Sequence, residues 1–123
     1  KRLVIYNVDV KSGAVTTVAD LDGSKSGLSI SLDRSRMAML FKPYGKVVPE
    51  LIVMNFDGSE MVRIETQDRL TNADPGNAGG FEGWTQWTPD GRLQVADGKW
   101  VDDRLQLHIW DVDLEAGTFT KVE

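Results

Sequence analysis

The stretch Asn7-Val8-Asp9-Val10-Lys11-Ser12-Gly13-Ala14-Val15-Thr16-Thr17-Val18 returns near the other end of the chain as Asp111-Val112-Asp113-Leu114-Glu115-Ala116-Gly117-Thr118-Phe119-Thr120-Lys121-Val122, at a constant offset of 104 residues (111 − 7). In both copies an apolar strand enters an Asp-x-x-x-Gly turn and leaves as an alternating strand. A shorter version, Asn55-Phe56-Asp57-Gly58-Ser59-Glu60-Met61-Val62, lies between them. A second unit also recurs: Ile30-Ser31-Leu32-Asp33-Arg34-Ser35-Arg36-Met37 corresponds to Trp87-Thr88-Pro89-Asp90-Gly91-Arg92-Leu93 with one inserted residue, and each copy precedes a hairpin. Repeats of this size are supersecondary units that cannot bury their apolar faces alone and must stack on their neighbours.

Between the turns the apolar residues fall in short runs rich in Val, Ile, Leu, Met and Trp, and none keeps a helical period for three turns. The pattern predicts an all-β, antiparallel chain with strands over residues 3–8, 14–19, 28–32, 36–42, 50–56, 61–65, 84–88, 92–97, 105–111 and 118–122. Labelling the four strands of a unit a to d, the chain parses as a half unit c-d over residues 1–23, a full unit over 24–66 and a full unit over 67–123 that opens on a long d–a loop.

Trp87-Thr88-Pro89-Asp90-Gly91-Arg92-Leu93 resembles the W-S-P-D-G-K/R-x core of the WD40-like (PD40) repeat of TolB-like β-propellers. Glu50 to Ser59 resembles that family's c strand and c–d turn, and Arg69-Leu70-Thr71-Asn72 its blade ending. The middle unit departs from the pattern, with Ile30 in place of Trp, Leu32 in place of Pro and Arg34-Ser35 in place of Gly. The resemblance implies a partial β-propeller acting as a non-catalytic binding or scaffold module for a protein or peptide, in an extracytoplasmic bacterial setting. Two alternatives are the non-catalytic propeller of a larger hydrolase of the prolyl oligopeptidase kind and a glycan or small-ligand binder using the tryptophans.

Composition narrows the chemistry. The net charge of −5 comes from 19 acidic and 14 basic residues spread along the chain, with no basic block to track a phosphate backbone, so nucleic acid is not expected as a partner. No cysteine is present, which removes disulfides, thiolate metal sites and cysteine nucleophiles. The longest apolar runs, 37–41 and 51–54, fall far short of the roughly 20 residues a membrane helix needs. The chain starts at Lys1 and already reads as strand by Leu3, so it is taken as a piece of something longer.

In an a-b-c-d meander the a–b and c–d turns share one rim, and the b–c and d–a loops share the other. The stereotyped turns fall on the first rim and the irregular connections 20–27, 43–49, 66–83 and 98–104 on the second, which is where function is expected. The candidate binding residues on that rim are Tyr44 and Lys46 in one b–c loop, Asp68, Arg69, Asn72, Phe81 and Glu82 in the long d–a segment, and Lys99, Trp100 and Asp102 in the other b–c loop. No catalytic residue, metal or cofactor is assigned. The 20–27 segment alternates oxygen-bearing residues near a glycine as calcium loops do but lacks their bidentate Glu. Adjacent Asp102 and Asp103 diverge as a pair, and a lone His108 without Cys or a second His builds neither a zinc site nor a triad. Trp84 and Trp87, three residues apart on one strand, point to opposite faces, so one is expected to pack between units. Open unit edges and faces predict self-association as an irregular dimer.

Overall fold

A computed structural model describes residues 2–46, 49–66, 70–71 and 83–122. Within them the chain is all-β, with strands β1 (Arg2–Val8), β2 (Val15–Ile30), β3 (Arg36–Pro43), β4 (Glu50–Asn55), β5 (Val62–Glu65), β6 (Leu70–Thr71), β7 (Gly83–Trp87), β8 (Leu93–Val101), β9 (Arg104–Asp113) and β10 (Thr118–Val122). They form two five-stranded sheets, ordered β1-β2-β3-β4-β5 and β6-β10-β9-β8-β7. Pairing is antiparallel throughout except where β6 runs parallel to β10.

The repeated sequence folds as repeated hydrogen bonding. Asp9 Oδ1 accepts the amides of Lys11 (2.9 Å) and Ser12 (3.2 Å), and 104 residues on Asp113 Oδ1 accepts those of Glu115 (3.1 Å) and Ala116 (3.0 Å). Gly13 and Gly117 close the two turns at φ 74° and 68°, each donating its amide to the carbonyl of the leading Asp at 2.7 and 2.8 Å. Glycine reaches this left-handed conformation without the Cβ penalty other residues incur. The a–b turns match in the same way: Ser31 and Thr88 each bond through backbone N–H to the carbonyl of Arg36 or Arg92, and through the side-chain oxygen to that residue's amide. Gly91 takes the left-handed position in the last unit at φ 86°, whereas Arg34 is forced into it at φ 60° in the middle one.

Two expected loops are strand. Residues 20–27 are not an irregular connection; β2 runs unbroken from Val15 to Ile30, pairing with β1 up to Asp22 and with β3 from Gly23. The hand-over depends on Gly23, where a Cβ would lie 2.2 Å from the Lys42 carbonyl oxygen and 2.6 Å from Phe41 Cζ. Residues 98–104 likewise lengthen β8 and β9, which are joined only by Asp102 and Asp103 at φ 50° and 62°. Two consecutive positive-φ residues between paired strands give the type I′ turn whose twist suits a hairpin.

Three layers result. The first hairpin, β1 with the leading half of β2, sets Leu3, Ile5, Val18, Ala19 and Leu21 on one face of β3 and β4, against Met37, Met39, Phe41, Ile52 and Met54. The other face of those strands, carrying Ala38, Leu40, Leu51 and Val53, packs with Ile64 on Leu93, Val95, Trp110 and Phe119 of the second sheet. Buried from both sides, β3 and β4 are apolar without alternation from Met37 to Phe41 and from Leu51 to Met54, while β9 alternates over Leu105-Gln106-Leu107-His108-Ile109 and is exposed or half-buried along that stretch. At about 1.5 to 3 kcal/mol for each fully buried Leu, Phe or Met side chain, these two strands dominate the core. A buried polar link joins the layers: Thr85 Oγ1 donates to the Ala38 carbonyl at 3.0 Å and lies 2.7 Å from Ser29 Oγ.

Candidate functional site

On the loop rim, Tyr44 follows the end of β3 at 75% exposure, its amide held by the Asp22 carbonyl. Lys46 sits two residues on and lines a cavity of about 280 Å³ with Pro43, Glu50, Arg63 and Glu65. The cavity is built on a forked ion pair in which Arg63 Nε and Nη2 donate to the two Glu50 oxygens at 2.8 and 3.0 Å. The same guanidinium stands 5.7 Å over the Phe41 ring, so its orientation is set by the core beneath. Lys46 and Glu65 are the exposed charges around this pair, one of each sign.

Of the other predicted contact residues, Asp102 is an exposed member of the β8–β9 turn. Lys99 and Trp100 belong to β8, opposite Gln106 and Leu105, and not to a loop. Asp68, Arg69, Asn72, Phe81 and Glu82 lie outside the described residues. Among the described residues no three His, Asp or Glu side chains come together as a metal site, and the 20–27 segment that resembled a calcium loop is extended strand. His108 is half-buried in β9, its ring 6.1 Å from that of Trp110 and tilted by 39°. No helix among the described residues is long and apolar enough to cross a membrane.

A larger cleft opens on the opposite rim, where the a–b and c–d turns of the two sheets meet. Its main chamber, about 380 Å³, is lined by Arg36, Trp87, Arg92, Leu93, Asp111 and Leu114 among others. A second chamber of about 290 Å³ shares Arg36, Leu114 and Glu115 and adds Val53, Asn55 and Glu60. The Arg36 guanidinium lies 5.0 Å over the Trp87 ring, which settles which tryptophan packs between layers: Trp87 does, while Trp84 is 38% exposed on the far face. Trp87 Nε1 is buried without a hydrogen-bond partner. Arg92 bridges Asp90 at 3.1 Å and Asp111 at 2.9 Å, and Gln94 also donates to Asp111.

The carboxylates of this rim are held ionised by their turns. Hydroxyl donors from Ser35 and Ser31, with the Ser35 amide, lower Asp33 to about 2. Asp57 is lowered by the Ser59 hydroxyl and amide, Asp90 by Thr88 and Arg92, and Asp9 by the Lys11 and Ser12 amides. Carboxylates so committed to turns serve structure and charge and are poor proton donors at neutral pH. Sequence reasoning, which expected function on the opposite rim, missed the cleft beside the Asp90 turn. The available signal was the pairing of Trp87 with Arg36, but those residues stand 51 positions apart (87 − 36) in two different units.

No family model, curated protein or solved structure matches this chain.

Proposed function

We propose that this chain is a non-catalytic binding and scaffold module, built of stacked propeller-blade units, that engages a protein or peptide through its loop rim. The observation that carries the reading is the three-layer stack whose Asp-led turns repeat one hydrogen-bond pattern, at Asp9 and again 104 residues on at Asp113, as propeller blades repeat theirs. Cavities of about 280 to 380 Å³, open at the rims and ringed by charges of both signs, are sized for side chains of a docked segment. On the loop rim, exposed Tyr44 two residues from exposed Lys46 supplies an aromatic anchor next to charge, and Asp102 adds an exposed carboxylate in the β8–β9 turn. The resemblance to TolB-like repeats favours an extracytoplasmic setting for such a module.

The turn-rim cleft offers a second binding position, favoured by the stacked Arg36 and Trp87 pair. One experiment separates the two. A random peptide library is panned on the wild-type chain, and recovered peptides are titrated against Y44A/K46E and against E115K. A loss of roughly tenfold or more, about 1.4 kcal/mol, in the first variant alone supports the loop rim. The same loss in E115K alone moves the site to the cleft, and a library that yields no binder overturns the reading.

A further inference from the structure

The three c-d hairpins carry the same side chains in three different surroundings. Aligning their turns at Asn7, Asn55 and Asp111 makes Leu3, Leu51 and Leu107 equivalent, and likewise Ile5, Val53 and Ile109. In each unit these residues face toward the following layer. Leu3 and Ile5 pack on β3 and β4, and Leu51 and Val53 pack on the second sheet at 0% and 3% exposure. Leu107, over which the described residues place no further layer, is 53% exposed, and Leu105 two residues away is 50% exposed. Register continues this apolar face across the sheet through Trp84, Ala96, Ile109 and Val122.

The reverse face shows the mirror pattern. Tyr6, Met54 and Trp110 are equivalent and face the preceding layer. Met54 and Trp110 are each 1% exposed against that layer, whereas Tyr6 is 59% exposed, with Val8 at 54% and Val15 at 62% around it. The 104-residue repeat matches Val8 to Val112 and Val15 to Phe119, both of which pack into the core between the sheets. The described layers thus leave one open copy of each half of an interface that they close twice among themselves.

We infer that a second copy of this chain docks head to tail, seating the Tyr6, Val8 and Val15 face of one molecule on the Leu105, Leu107 and Ile109 face of another. The contact continues the internal stacking and is heterologous, so it propagates into a ring or an open chain of copies and does not stop at a two-fold dimer. Exposed apolar faces of this kind are what solvent-facing terminal repeats replace with polar residues. The inference is independent of the loop-rim reading, because Tyr44 and Lys46 belong to neither face.

The test is the solution mass of the 123-residue chain across a dilution series, by sedimentation and light scattering, with L107D and Y6D. Both substitutions fall on exposed residues, and circular dichroism checks that each variant keeps the wild-type fold. L105D and V15D form a second pair should either of the first fail to fold. The wild type is expected to grow past twice its 13.7 kDa mass as concentration rises. Each variant alone is expected to remain monomeric, and an equimolar mixture to form a one-to-one dimer and nothing larger, since one intact head then meets one intact tail. A monomeric wild type overturns the proposal, as does a variant that still dimerises alone or a mixture that stays monomeric.

Discussion

Replacing Gly23 with Ala tests the hand-over in β2 from one layer to the next. The added methyl would stand 2.2 Å from the Lys42 carbonyl oxygen, 2.6 Å from Phe41 Cζ and 3.0 Å from Phe41 Cε1. Both neighbours are on β3, and Phe41 is fully buried between layers, so neither can yield freely. Relief requires β2 to lift from β3, giving up the pairing of Gly23 with Pro43 and Ser24 with Lys42, or Phe41 to leave its site. Two ladder hydrogen bonds at about 1 kcal/mol each, with about 1 to 3 kcal/mol for overpacking, put the loss at roughly 3 to 5 kcal/mol. At about 4 °C per kcal/mol for a domain of this size, Tm falls by roughly 12 to 20 °C in thermal denaturation followed by circular dichroism. G45A is the control. Gly45 has φ 78° but nothing within 4 Å of its would-be Cβ, so it carries only the left-handed penalty, about 1 to 2 kcal/mol or roughly 4 to 8 °C. Equal shifts for the two variants would falsify the close-approach argument and leave conformational freedom as the whole role of Gly23.

Arg34 occupies at φ 60° the position that Gly91 fills in the equivalent turn, and its side chain is exposed, so R34G should raise stability by about 1 kcal/mol, read as a higher urea midpoint at unchanged slope. The acid limb of stability should follow the turn aspartates. Asp33 is lowered to about 2 in the folded chain, so its contribution is complete above the ordinary carboxylate value near pH 4 and is lost as pH falls toward 2. D33N should therefore be less stable than wild type at neutral pH and lose less on acidification, and parallel pH profiles for the two proteins would refute the assignment.

What was legible in the sequence was whatever local chemistry decides. The Asp9 and Asp113 turns could be read because an Asp followed four residues later by Gly supplies both the side-chain acceptor and the left-handed residue that such a turn needs. The continuity of β2 could not be read, because Asp20 to Gly27 has the polar, glycine-containing composition of a loop; its strand conformation comes from partners on both sides, β1 and then β3. Asp102 and Asp103 hid a two-residue hairpin turn because neither is the glycine that usually marks one. The β6 pairing with β10 spans only two residues and joins positions about fifty apart, beyond any periodicity argument. Much of the candidate loop rim rests on residues 67–69 and 72–82, where composition alone speaks. The turn-rim cleft is assembled across units, so no single motif announces it.

The unequal faces of β9 explain why the stack is asymmetric in character. A strand buried on both faces must be apolar at every position, as Leu51-Ile52-Val53-Met54 is, whereas its equivalents in the outer units need apolar residues only on the covered face. Yet Tyr6 and Val8 remain large and apolar on the open face of the first hairpin, and Leu105 and Leu107 on that of the last sheet. Solvation alone would favour polar side chains at these four positions, since apolar surface left in water gains none of the roughly 25 cal/mol per Å² that burial provides. The sequence instead keeps at its open faces the same residue types that it uses in its two closed ones, with Leu3 and Leu107 identical at the matching position and Tyr6 an aromatic like Trp110. We read that choice as the mark of faces that a neighbouring layer covers, a cover whose shape the chain already contains in its two closed interfaces.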